Sequence, residues 1–130
     1  MKVYHDDHKE VLLLLAKLEG NVMDLKAGYP SPNPYLEFEE FAQVIENVII
    51  PHFKNEEVTV YKDVSGHGPE EQEFIKKMLM EHDALYTVFD QYFRAVKERD
   101  NQKMIEISGT LIHVLRHHIL REEDDLPKLQ

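Results

Sequence analysis

At 130 residues the chain is long enough to bury one hydrophobic core, and we expect a single domain over residues 1–130. It has no cysteine, which excludes disulfides, thiolate metal sites and iron-sulfur ligation. The 15 basic and 25 acidic residues give a formal net charge of -10, which argues against a nucleic-acid partner. The strongly apolar run 11–16 is too short to span a bilayer, so we expect a soluble, cytoplasmic protein without a membrane partner.

Turn signals divide the chain into four segments. Proline and glycine cluster at 28–34 and at 65–69, and a weaker polar break falls at 99–101. The remaining segments are 3–26, 35–62, 69–98 and 101–126. We expect Pro127 to end the last one. Because short connections force successive helices to run in opposite directions, these segments predict an all-α, antiparallel up-down-up-down four-helix bundle.

Each segment carries an inward stripe of residues spaced by three and four, the period of a helix that buries one face. The first stripe is His8, Leu12, Leu15, Leu18, Val22 and Leu25. The second is Phe41, Ile45, Val48, His52, Glu56 and Thr59. The third is Ile75, Met78, His82, Leu85, Phe89, Tyr92 and Val96. The fourth is Leu111, Leu115, His118, Glu122 and Leu126. Histidine or glutamate therefore occupies the apolar stripe of every segment.

A His-x-x-x-Glu-Glu pattern occurs at 52–57 and again at 118–123. A histidine and a glutamate four positions apart lie on one helix face, so both side chains can reach one ion. Burying several ionisable groups in a small core is costly unless something compensates, and bound metal provides compensation. Imidazole with carboxylate suits iron, manganese or zinc, and two carboxylates able to bridge indicate two ions. The predicted metal ligands are His8, His52, Glu56, His82, His118 and Glu122.

Several neighbouring residues keep open interpretations. His5 is an alternate ligand or a shield at the end of the bundle, and His113 with His117 is a metal pair or, as we favour, a pair with solvent or interhelix contacts. The acidic run 122–125 is typical of a solvated helix end in which only Glu122 is in phase with the preceding histidine. Pro51 predicts a local irregularity of the second helix, at a functional position or as a simple bend.

The motifs together resemble the hemerythrin-like, or HHE cation-binding, domain over essentially the whole chain. The shared motifs are Asp7-His8 with the apolar stripe after it, His52-x-x-x-Glu56-Glu57, Glu81-His82, and His118-Ile119-x-x-Glu122-Glu123. The resemblance implies a bundle with two iron ions (Fe2+/Fe3+), oxo- or hydroxo-bridged, spanned by the two stripe glutamates and capped by the four stripe histidines. Another divalent metal is an alternative. Ferritin-like di-iron bundles use Glu-x-x-His pairs, and the chain has none.

The chain departs from oxygen-carrying hemerythrins, which place a second histidine four residues from the first on the third helix. Met78 and Tyr86 stand at that spacing from His82. Tyr86 is therefore predicted to be an oxygen ligand, a hydrogen-bond donor to a bound species, or an interface tyrosine. A second departure concerns the last histidine and carboxylate, which those proteins place five residues apart. That spacing is available here as His117 to Glu122 or as His118 to Glu123.

Three functions are compatible with the sequence, the first two of which the resemblance implies. The first is a non-haem di-iron protein that binds or senses oxygen, nitric oxide or related small species such as peroxide, or that handles iron. The second is a di-iron enzyme that reduces peroxide or nitric oxide, or that repairs iron-sulfur clusters. The third is a metal-free structural or regulatory bundle. A protein partner or a homo-oligomer is compatible with each of them.

Overall fold

The computed structural model describes residues 2–28, 35–60 and 68–129, and for residues 2–7, 60 and 125–129 only their backbone. All regular structure in these ranges is helical, which confirms the predicted all-α class. The helices are α1 (Lys2–Ala27), α2 (Leu36–Val44), α3 (Ile50–Asn55), α4 (Pro69–Glu98) and α5 (Asn101–Leu129). None of these described helices is both long enough and apolar enough to cross a membrane.

The helices α2 and α3 belong to one rod that contains two wider turns. A π-helical turn over Ile45–Ile49 joins α2 to α3, and a second one over Glu56–Val60 follows α3. Pro51 lies in the first turn of α3. In a regular α-helix its ring would clash with the carbonyl group four residues back, and a turn closed over five residues relieves that clash. The irregularity predicted at Pro51 is therefore a change of helix type directly before His52.

The wider turn also changes which residues of this rod face the core. The buried residues are Phe38, Phe41, Ile45, Ile49, Phe53 and Glu56. Repeated steps of four drift around a regular helix of about 3.6 residues per turn, and the π-helical turn absorbs this drift. Val48 and Thr59 were predicted to face inward, but Val48 is half-buried and Thr59 is exposed. That part of the prediction was wrong because it assumed one regular α-helical period.

The other stripes follow the predicted positions more closely. All the predicted inward residues of α4 are buried. In α1, Val11 rather than Leu12 lies in the core, and Leu25 is half-buried. In α5 the predicted stripe is buried from Leu111 to Glu122, and the side chain of Leu126 lies outside the described residues.

Contacts between neighbouring helices show how they run. The helix α4 packs against α5 and α2, and α1 packs against the same two helices. The Tyr92 hydroxyl donates to the Phe38 carbonyl oxygen (2.7 Å), while Tyr86 reaches Glu57 in the same pair of rods. As the residue numbers rise along α4 they fall along the rod it contacts, so the two run antiparallel. The contacts of His8 with Glu122 and of Glu19 with Arg116 show that α1 and α5 are antiparallel as well. The up-down-up-down order would produce these contacts and stays a prediction, since the connections 29–34 and 61–67 lie outside the described residues.

The turn at 99–101 matches the predicted polar break. Arg99 has a left-handed backbone (φ 54°), and its N–H and that of Asp100 donate to the last carbonyl groups of α4. The Asp100 carboxylate accepts the backbone N–H of Lys103 (3.1 Å) and so caps the start of α5. At the other end, the prediction that Pro127 stops the helix was wrong, because α5 continues to Leu129. A proline this close to a helix end removes a single hydrogen bond of the last turn.

Candidate metal centre

The structure brings together all six residues that the sequence predicts as metal ligands. They come from α1 (His8), α3 (His52), the turn that follows it (Glu56), α4 (His82) and α5 (His118 and Glu122). Five of the six are at most 1% exposed, and His52 is the partly buried exception. Ionisable side chains are seldom buried this deeply unless charge or metal partners compensate.

The six side chains form two groups that share one carboxylate. One group is Glu56, His82, His118 and Glu122, and the other is His8, His52 and Glu56. Within each group the nitrogen and oxygen atoms that can bind a metal all lie within 4.8 Å of one another. Glu56 is therefore placed between two sets of histidines.

The distances show how each carboxylate spans the two sets. Glu56 Oε1 lies 3.5 Å from His82 Nε2, and its Oε2 lies 3.7 Å from His52 Nε2. Glu122 Oε1 lies 3.1 Å from His118 Nε2 and 3.6 Å from His8 Nε2. Each glutamate thus reaches one histidine of α4 or α5 and one of α1 or α3, as a bridging carboxylate would.

The spacing of the imidazoles fits a metal ion. His82 Nε2 and His118 Nε2 are 3.1 Å apart. Two nitrogens bound to one ion at about 2.0–2.1 Å would lie about 3 Å apart when their bonds meet at a right angle. The Nε2 atoms of all four histidines lie within 4.0 Å of Glu56 or Glu122. A donor set of imidazoles and carboxylates suits iron, manganese or zinc, so the residues present fit the predicted cofactor class.

Three further glutamates contact the opposite nitrogen of three of these histidines. The contacts are Glu57 Oε2 with His82 Nδ1 (3.2 Å), Glu81 Oε1 with His118 Nδ1 (2.9 Å) and Glu123 Oε1 with His8 Nδ1 (3.5 Å). Sequence reasoning missed this role, and it treated the acidic run with Glu123 as a solvated helix end. That interpretation was wrong for Glu123, whose side chain is 24% exposed. The available signal was position, since each of the three is the sequence neighbour of a predicted ligand.

The surroundings shift the pKa values of the two central histidines in opposite directions. Burial, with the neighbouring positive charge of His118, lowers the pKa of His82 to about 4. Burial also opposes protonation of His118, but hydrogen bonds to Glu122 and Glu81 outweigh it and raise that pKa to about 9. Before metal binds, His118 therefore carries a proton at neutral pH and can donate it to the unprotonated Nε2 of His82.

Aromatic side chains cover one side of the centre. The Phe53 ring stacks on the His82 ring with centroids 4.0 Å apart and planes 6° apart, and its edge contact with His118 is 5.4 Å between centroids. The Tyr86 hydroxyl donates to Glu57 Oε2 at 3.0 Å. Burial and this hydrogen bond raise the pKa of Tyr86 well above its ordinary range. In the structure the Tyr86 hydroxyl therefore contacts the carboxylate of Glu57, the sequence neighbour of the proposed ligand Glu56.

Two of the remaining candidates, His113 and His117, stand apart from the two groups. His113 and His117 are exposed and face each other on α5, with ring centroids 4.8 Å apart. His118 rather than His117 is therefore the histidine of α5 that contacts Glu122, at a spacing of four. The side chain of His5 lies outside the described residues.

Comparison with known proteins agrees with the geometry. The family model described as the hemerythrin HHE cation binding domain matches residues 1–129. Neither the search of curated proteins nor the search of solved structures gave a match. The helical bundle and the His/Glu groups fit a metal-binding protein of this type. The chain therefore belongs to the hemerythrin HHE cation-binding domain family.

Proposed function

We propose that this protein is a non-haem di-iron protein that binds or senses oxygen, nitric oxide or related small species, or that handles iron. The observation that carries the proposal is the sharing of carboxylates. Glu56 belongs to both groups of metal-binding atoms, and Glu122 lies within 3.6 Å of a histidine from each. Carboxylates placed between two sets of imidazoles favour a pair of ions over a single one.

The charge balance of the site also supports two bound ions. The two groups and their Nδ1 partners contain five carboxylates, those of Glu56, Glu57, Glu81, Glu122 and Glu123. One guanidinium, that of Arg121, contacts Glu81. With neutral imidazoles, five negative charges and one positive charge leave a net charge of -4. Two divalent cations would balance this charge in a site where unpaired charges are costly.

The two sets of histidines differ in burial. One ion would be held by Glu56, Glu122 and the α4 and α5 histidines, and the other by His8 and His52 with the same two glutamates. His52 is the least buried of the six proposed ligands. We therefore assign the entry of a small molecule to the side of His8 and His52. When bound, iron supplies one-electron redox chemistry and exchangeable coordination positions.

Metal analysis of the purified protein tests the proposal. We expect two iron ions per chain after expression in iron-replete medium, with a near-ultraviolet charge-transfer shoulder that bleaches on reduction. His52→Ala should lower the metal content, while His117→Ala, which removes an exposed histidine outside both groups, should leave it unchanged. Less than one metal per chain in the unmodified protein would contradict the proposal and favour the metal-free bundle.

A second assay separates the binding protein from the alternative of a di-iron enzyme. The loaded protein is mixed with a reductant and with peroxide or nitric oxide, and consumption of the small molecule is followed over many equivalents. A protein that binds or senses the molecule should react once and stop. Sustained turnover would assign the chain to the enzymes instead.

A further inference from the structure

Three glutamates around the centre repeat one arrangement. Each is the sequence neighbour of a proposed ligand, since Glu57 follows Glu56, Glu123 follows Glu122 and Glu81 precedes His82. Each contacts the Nδ1 atom of a histidine from a different helix. The contacts run from the rod 36–60 to α4, from α4 to α5, and from α5 to α1. The arrangement therefore follows the helices around the bundle.

We propose that Glu57, Glu81 and Glu123 are positioning residues, each of which fixes the tautomer and orientation of a metal-binding imidazole across a helix interface. The inference rests on the ligand set of the proposed function. The inference adds that contacts between helices orient the metal-binding imidazole rings. Substituting one of the three glutamates should therefore weaken the contact at one helix interface and leave the other two in place.

The tautomer follows from the chemistry of the contact. An ionised carboxylate only accepts hydrogen bonds, so the Nδ1 atoms of His82 and His118, which are hydrogen-bonded to Glu57 and Glu81, must carry the proton. The longer contact of Glu123 with His8 Nδ1 (3.5 Å) favours the same tautomer. Once metal binding has displaced the extra proton of His118, both rings are neutral imidazoles protonated at Nδ1, with the lone pair on Nε2. In His82 and His118 those Nε2 atoms are the ones that face each other at 3.1 Å. The outer carboxylates thus direct the metal-binding nitrogen of each ring towards the centre.

Additional contacts hold two of the carboxylates in place. Glu57 Oε2, which faces His82, also accepts the Tyr86 hydroxyl. The second oxygen of Glu81 pairs with Arg121 while the first faces His118. The side chains of Glu57, Glu81 and Glu123 are 32%, 20% and 24% exposed. Partial burial lowers the local dielectric constant, and this strengthens a charge-assisted hydrogen bond relative to one in water.

Substitution of the glutamates separates positioning from a general effect of charge. Glu57→Ala, Glu81→Ala and Glu123→Ala remove the acceptor, whereas the glutamine variants remove the charge and keep an acceptor oxygen. Glu46→Ala, Glu73→Ala and Asp124→Ala are matched controls for Glu57, Glu81 and Glu123 in turn, because each removes one exposed carboxylate from the same rod or helix. The measurements are the affinity for Co2+ by chelator competition and the visible spectrum of the cobalt-loaded protein.

We expect each alanine variant to bind Co2+ about 10–100-fold more weakly and to have an altered cobalt spectrum, as for other outer carboxylates of metal-binding histidines. The glutamine variants should recover part of the affinity, and the controls should match the unmodified protein. If the alanine variants keep the original affinity and spectrum, the positioning role is overturned while the proposed function stands. If glutamine and alanine variants are equally weak, the effect is one of charge and the positioning role is again overturned.

A measurement on metal-free protein keeps the two proposals distinguishable. Nitrogen-15 NMR at neutral pH should place the proton of His82 on Nδ1 in the unmodified protein, and Glu57→Ala should shift protonation towards Nε2. If the unmodified protein bound no metal, the proposed function would fail. The shift in this spectrum would then still support the positioning contact, and an unchanged His82 spectrum would overturn it.

Discussion

Replacing Glu56 with glutamine should lower the melting temperature of the metal-loaded protein without lowering that of the metal-free protein. The Glu56 carboxylate is fully buried, and it lies 3.5 Å from His82 Nε2 and 3.7 Å from His52 Nε2. In the metal-free protein it is one of five carboxylates in one cluster, so its neutralisation relieves repulsion and should leave the melting temperature unchanged or higher. In the loaded protein the same change removes a donor from both groups.

The size of the loss can be worked out by mass action. An ion present at 100 times its dissociation constant stabilises the native state by about 2.7 kcal/mol. For 130 residues the entropy of unfolding is about 0.27 kcal/mol/K, so one bound ion raises the melting temperature by about 10 °C. If the affinity falls by about 100-fold, the stabilisation drops to about 0.4 kcal/mol and the rise to about 1–2 °C.

The assay is thermal unfolding followed by circular dichroism, with and without Fe2+ under anaerobic conditions. Glu46→Gln serves as the control, because it neutralises an exposed carboxylate of the same rod. It should melt like the unmodified protein in both states. The reasoning would be refuted if Glu56→Gln kept the full metal-dependent rise, or if it melted lower by the same amount with and without metal.

Three further substitutions test the packing around the centre and at the other end of the bundle. Phe53→Ala should lower the free energy of unfolding in urea by about 3–5 kcal/mol, since the ring is buried. It should also weaken metal binding, because the ring stacks on His82, and an unchanged affinity would show that the stacking does not orient the imidazole. Tyr92→Phe should cost about 1–2 kcal/mol and leave metal affinity intact, because it removes only the hydrogen bond to the Phe38 carbonyl oxygen. Ser108→Ala should stabilise the protein by about 1 kcal/mol, because the buried Ser108 hydroxyl has no hydrogen-bond partner among the described residues; a lower melting temperature would contradict this.

The helices and most of the inward faces were predictable from the sequence. The stripe of α4 is the clearest case, because spacings of three and four map directly onto one face of a regular helix. The rod 36–60 is the counterexample. Its buried residues are separated by consecutive steps of four, which a regular α-helix cannot keep on one face. A π-helical turn over Ile45–Ile49 compensates for this difference, and it leaves Val48 only half-buried. A helical period read from the sequence assumes a regular backbone and cannot register such a turn.

The sequence by itself determined the kinds of donor atom at the centre and the six residues that the structure brings together, because these histidines and glutamates are spaced in register with the apolar residues that the helices bury. Only the tertiary structure decided that Glu123 turns to His8, that Glu81 turns to His118, and that Glu57 turns to His82. Those contacts cross from one helix to the next. They depend on the rotation and register of packed helices, which the period of any single helix does not contain.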